Sequence, residues 1–310
     1  MEKIKISFEH KQIEVDKNTT YLEISKESKL KDSVLAVKKN NELIPLTAKA
    51  IEDEVIEFID AASIEGAKMY KAAVKFILEV ALKTIFKGSD IHYLHSVPGG
   101  MLGEIKYEKV LTSEDISEIK GEMARIIDED HEFKRYNILK KEAVDFYEAY
   151  GEYEKAINVK TCDDIVTIYK LKDYLNFYYV PMPYSTRYIR KFELKYLGNN
   201  RLVILYPSNL TEGRLPEYVH HENIINAYYD GKSWLKKLDT PYVGNLNNLV
   251  SSRTVKGFIE SCELHFTDEI KKACDKIIRN NDKKFIMIAG PSSSGKTTTT
   301  RVLGAYLRSK

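Results

Sequence analysis

The run Gly290-Pro291-Ser292-Ser293-Ser294-Gly295-Lys296-Thr297-Thr298 restricts this chain more than any other stretch. It fits G-x-x-x-x-G-K-[ST], the Walker A phosphate-loop pattern, and it is framed as that pattern requires. Before it stands the continuous apolar run Phe285 to Ala289, the kind found in buried parallel strands; after it stands a helix-competent stretch, Thr299 to Arg308. The residue types follow from the chemistry. Backbone N–H groups of Ser292 through Lys296 must converge on phosphate oxygens, and Gly290 and Gly295 permit the dihedrals and the close approach. A helix starting at Lys296 adds its positive end. Lys296 supplies a mobile charge, read here as the catalytic group; Thr297 offers a hydroxyl to Mg²⁺; Thr298 faces the α-phosphate side. The expected binding set is Gly290, Ser292, Ser293, Ser294, Gly295, Lys296, Thr297 and Thr298, with ATP and Mg²⁺ as cofactors.

Upstream, residues 1 to 60 alternate with a period of two at Ile4, Ile6 and Phe8, Ile13 and Val15, Val34 to Val37, Leu43 to Leu46, and Val55 to Phe58. Thr19 or Thr20 caps a short helix, and Asn40-Asn41 suits a hairpin turn. Strand, strand, helix, strand, strand, strand over 1–62 is the order of a β-grasp, ubiquitin-like module. From Ser63 to Phe86 the pattern becomes a long helix apolar almost all round, which must be buried in a second core. Strands over His92 to Tyr107, two charged helices starting near Ser113 and His131, and strands over Leu175 to Pro207 complete an α+β domain, 63–210. Helices over Pro216 to Lys237, Arg253 to His265 and Thr267 to Asn280 form a connector, 211–282, and 283–310 opens a P-loop α/β domain. The fold class is α+β and multi-domain.

Lysine plus arginine number 48 against 46 aspartate plus glutamate, so no global field draws nucleic acid or anionic lipid, and any anion site is local. No stretch approaches the roughly 18 apolar residues of a membrane span. The odd cysteine count (Cys162, Cys262, Cys274) and the lack of an apolar leader after Met1 point to a reducing cytoplasm with structural thiols. His92-x-x-His95 falls near a strand, where residues three apart face opposite ways, and His220-His221 diverge on a helix; both read as ordinary histidines. Arg187, Arg190 and Lys191 beside Tyr184 and Tyr188 read as a solvated edge, with a small base-stacking patch as the sharper option.

Phe285 to Leu307, through Ile288-Ala289-Gly290 and the loop that follows, resembles the start of the uridine kinase and phosphoribulokinase group. Residues 1–60 resemble the TGS domain of threonyl-tRNA synthetase, and 63–210 its second, editing-type domain. The resemblance implies ATP-dependent phosphorylation of a nucleoside, uridine, in a longer protein cut early in its kinase domain, the present chain being inactive and its unpaired strand free to self-associate. Its partners would be ATP and a nucleoside, with RNA less favoured and no membrane. The alternative is an RNA- or nucleotide-binding regulatory module derived from the synthetase, or a P-loop ATPase of other output. The synthetase's His-x-x-x-His falls at Tyr70-Lys71-Ala72-Ala73-Val74 and its Cys-x-x-x-His at Tyr178 to Met182, so neither imidazole nor thiolate stands there to build a water-activating site.

Overall fold

The computed structural model describes residues 2–280 and 284–310. The chain divides into two compact units: one runs to Glu152 and resumes over Cys162–Ser233, and the other joins Tyr153–Thr161 to Trp234–Lys310.

The first unit opens with β1 (Lys3–Phe8), β2 (Lys11–Asp16), α1 (Tyr21–Ser25), β3 (Ala36–Lys39), β4 (Glu42–Ile44), β5 (Glu54–Val55) and β6 (Glu57–Ile59). The order matches the alternation, with one more short strand, but the strands divide between two sheets, β2-β1-β5 and β4-β3-β6. Thr20 is the cap of α1: it accepts from the Glu23 N–H while the Glu23 carboxylate accepts from the Thr20 N–H, satisfying two orphan donors at once. Asn40 and Asn41 turn β3 into β4 with φ of 50° and 67°, values that asparagine tolerates better than most residues.

Helix α2 (Ile64–Ile85) is the expected buried helix, with Phe76, Ile77 and Leu78 wholly inaccessible. It packs beside α3 (Ser113–Asp128) and touches β7 (Asp90–Val97). With β8 (Gly100–Lys106), β12 (Glu193–Gly198) and β13 (Arg201–Leu205), β7 forms an antiparallel sheet ordered β12-β13-β8-β7. Its first turn is tight: the Ser63 side chain accepts from the Gly66 N–H, and a Cβ at Gly66 would lie 1.8 Å from the Asp60 carbonyl oxygen. Backbone cannot yield there. Gly66→Ala is therefore expected to destabilise by about 1–3 kcal/mol, the cost typical of overpacking; an unchanged urea midpoint would refute this account of the turn.

One expectation is corrected in this unit. The helix expected from His131 begins later, because Lys134–Leu139 form β9, an edge strand paired with β10 (Ile165–Leu171), and only then does α4 (Lys140–Ala149) start. The third sheet is β11-β10-β9, with β11 spanning Tyr174–Phe177. β9 carries charges at its start and no clean alternation, so only its partner makes it a strand.

The second unit contains α5 (Tyr153–Lys160), the end of α6 (Glu222–Lys237), α7 (Val243–Ser251), α8 (Val255–Arg279) and α9 (Lys296–Arg308). The two helices expected between Arg253 and Asn280 are one, α8. The strand expected over Phe285 to Ala289 is absent: residues 284–290 take no strand pairing, and Phe285 and Met287 are 89% and 94% exposed. A parallel strand exists only through its ladder partners, and the second unit has no strand among its described residues. The expected junction between the connector, 211–282, and the phosphate-loop segment, 283–310, falls at 281–283, outside the described residues. Among those described, no helix is long and apolar enough to cross a membrane.

Candidate functional site

The loop from Gly290 to Gly295 curls into the first turn of α9. Ser293 and Gly295 take positive φ of 60° and 80°, and the Ser294 N–H reaches back 3.4 Å to the Pro291 carbonyl. A Cβ at Gly290 would meet the Ser294 hydroxyl at 2.9 Å, so the side-chain-free backbone at 290 is used. The Lys296 ammonium arches over the loop and donates to the Pro291 oxygen at 2.5 Å. Thr297 and Thr298 follow on the first turn of α9, exposed. The first N–H groups of any helix lie outside its own ladder, and such groups at the head of a helix, with a lysine above them, are the arrangement that attracts anions.

Helix α9 is held by α8. Ile270, Cys274 and Leu303 are buried together, with Ile277, Ile288, Val302 and Tyr306 packed round them. The Cys274 thiol lies 3.8 Å from the Leu303 carbonyl, and burial pushes its pKa up, which suits the structural role expected for it. None of the three cysteines is in a disulfide.

The sequence-predicted loop residues thus come together, whereas the other constellations do not form sites. His95 stacks on Tyr228 at 3.9 Å, and burial, followed by the charge of Lys232, lowers its pKa. The His220 Nδ1 and the Tyr218 hydroxyl are 2.7 Å apart. Arg187 lies over the Tyr188 ring and between Asp32 and Asp130, at 3.7 and 3.6 Å, so its charge is already shared.

A polar cluster on α2 went unread. Glu79, Asp90 and Glu152 offer carboxylate oxygens within 4.8 Å of one another, close enough to hold a metal ion. The Lys83 ammonium already lies among them, 3.3 Å from Glu79, 3.8 Å from Asp90 and 2.5 Å from Glu152. Asn176 donates to Glu79 at 2.5 Å. Tyr93 and Tyr178, packed beside this charge, have pKa values raised first by burial and then by Glu79. The cluster sets three carboxylates round one ammonium beside α2. Its one sequence signal was Glu79 and Lys83, spaced i,i+4 on a helix otherwise almost wholly apolar.

No family model matches the chain. It is similar to threonine–tRNA ligase of Caldanaerobacter subterraneus subsp. tengcongensis, 27% identical over 188 residues that cover 58% of this chain and 29% of that protein. The ligase of Oleidesulfovibrio alaskensis is 27% identical over 196 residues (62% and 30%), and that of Lawsonia intracellularis 30% identical over 145 residues (46% and 22%). A region similar to threonine–tRNA ligase therefore covers about three fifths of this chain, which spans under a third of the length of these relatives. These relatives are aminoacyl-tRNA ligases by name, not nucleoside kinases, and the expectation of uridine phosphorylation is overturned by them.

Proposed function

We propose that this chain is a binding module derived from a threonyl-tRNA synthetase, directed at RNA or a nucleotide, and that residues 290–298 hold the phosphates of a nucleoside triphosphate. The observation that carries the second half is the curl from Gly290 to Gly295 at the head of α9, with the Lys296 ammonium resting on a carbonyl that an anion would replace. In this reading residues 1–62 are a β-grasp module of the TGS type, 63–210 the synthetase-like α+β domain, 211–282 a connector and 283–310 the phosphate-loop segment. The backbone N–H groups of Ser292 to Lys296 take β- and γ-phosphate oxygens, Lys296 neutralises their charge, and the Thr297 hydroxyl ligates Mg²⁺. ATP is the natural probe.

In the synthetase-like domain, the positions matching the family's histidines and thiol carry no imidazole and no thiolate, so recognition without ester hydrolysis is the activity proposed for it. Binding to tRNA should weaken as salt rises, because phosphate contacts release counterions. Two measurements test the module. ATP·Mg²⁺ or inorganic tripolyphosphate should bind the whole chain, and Lys296→Ala should weaken it at least tenfold, about 1.4 kcal/mol; equal affinity in the two proteins refutes the loop assignment. Retention of tRNA on a native gel at low salt tests the first unit, and no retention removes the RNA half of the reading.

A further inference from the structure

The first unit holds a small cavity, about 280 Å³, that none of the residues discussed above explains. It lies in the β11-β10-β9 sheet and has a structural cause. β11 accompanies β10 only from Ile168 to Leu171, ending at the pair Ile168 and Phe177, whereas β9 accompanies β10 from Ile165 to Lys170. After Phe177 the chain peels away through Tyr179 to Pro181, and Ile165 to Thr167 keep a strand neighbour on one side only. The result is a notch whose floor is an unladdered strand edge and whose lip is the departing loop.

Its walls are chemically specific. Tyr179 is 82% exposed at the lip, with its ring perpendicular to that of Phe177 at 5.4 Å. The Tyr179 hydroxyl stands 3.7 Å from the Cys162 sulfur on the facing wall. A tyrosine hydroxyl is protonated and able to donate at neutral pH. Arg135 projects from β9 into the lining and makes no ion pair among the described residues. Ile165, 63% exposed, adds an apolar surface that nothing in the unit covers.

An aromatic face open to stacking, a backbone edge whose N–H and C=O groups can meet a heterocycle, and one uncommitted guanidinium are the three elements that hold a base and its phosphate. The volume lies just below the usual range of ligand sites, about 300–1,000 Å³, so only a small ligand that stays partly in solvent fits. We infer that this notch binds one nucleoside 5′-monophosphate, its base stacked on Tyr179 against the free edge of β10 and its phosphate on Arg135. The inference rests on the RNA- or nucleotide-directed reading of the first unit and gives that reading a location; it is independent of the loop at 290–298.

The test is a calorimetric titration of the full chain with AMP, and separately with an octamer of adenylate RNA, both in saturating inorganic tripolyphosphate so that the loop at 290–298 does not contribute. AMP should bind. Tyr179→Ala should weaken it about tenfold or more, within the range that loss of one base stack produces, and Arg135→Gln should weaken it while flattening its salt dependence. Bound AMP should also slow iodoacetamide alkylation of Cys162, which reports occupancy without any substitution. Tighter binding of the octamer would mark RNA as the source of the unit, and equal or weaker binding a free nucleotide. If AMP does not bind, or binds unchanged in Tyr179→Ala with Cys162 unprotected, the notch is not the site. Loss of the notch with tRNA retention intact leaves the module reading standing, whereas loss of both removes it.

Discussion

Replacing Lys83 by methionine should cost this protein about 3–5 kcal/mol, the penalty for removing one partner of a buried charge group. The side chain of Glu79 is 4% exposed and that of Lys83 16%, and both carboxylates nearest the ammonium, Glu152 and Glu79, lie within 3.3 Å of it. Methionine preserves most of the volume, so the loss reports charge and not a cavity. What remains is a buried carboxylate beside two others, with the Asn176 amide still donating to it. Glu79→Gln in the Lys83→Met background should recover part of the loss, because a glutamine oxygen still accepts from Asn176. Guanidinium unfolding at neutral pH checks both statements; a deficit below about 1 kcal/mol would mean that water reaches the cluster.

The second large effect is expected at Lys39. Its ammonium lies 2.5 Å from Glu54, whose side chain is 2% exposed, and 2.9 Å from Glu52. The Tyr21 hydroxyl donates to the other Glu54 oxygen at 2.6 Å, tying α1 to β5. Lys39→Met should again cost about 3–5 kcal/mol, since Glu54 would keep one neutral donor in place of a cation. The alkaline limb distinguishes this site. The pKa of Lys39 is raised by its bonds to Glu54 and Glu52, and that of Tyr21 by burial and then by Glu54. Both groups have folded values above their ordinary 10.5 and 10.0, so their contribution is fully present below about pH 10 and is lost as pH climbs through the folded values. The wild type should therefore lose stability above pH 10, and the variant should lose less over the same interval. Parallel curves in thermal melts from pH 8 to 11 would contradict the assignment.

Much of the fold could be read one residue at a time because its signals are local. The period of two through β1 and β2, the Thr20 cap, the asparagine turn and the apolar sweep of α2 depend on neighbours within a few positions. The sequence reading failed where the decision is made at a distance. Lys134–Leu139 is a strand because β10 offers a ladder, and Phe285 to Ala289 is not one because no strand among the described residues pairs with it. The same intrinsic apolarity at 285–289 would serve a strand or an exposed segment equally. Family resemblance also split unevenly: the reading of a synthetase-like region is supported by relatives similar over about three fifths of the chain, whereas the kinase reading rested on a loop pattern that names phosphate chemistry and no acceptor.

By itself the sequence determined the loop of residues 290–298, since glycine at 290 and 295, lysine at 296 and threonine at 297 are chemical identities that no packing can change. It also determined that any anion site must be local, because the charges nearly cancel. Only the tertiary structure decided which lysines neutralise buried carboxylates, which histidine stacks on a tyrosine, and where a strand runs out of partner to leave a notch lined by Arg135 and Tyr179. The physical reason is range. Backbone dihedrals and caps answer to the nearest few residues, but desolvation and ion pairing depend on groups dozens of residues apart, as Lys83 and Glu152 are.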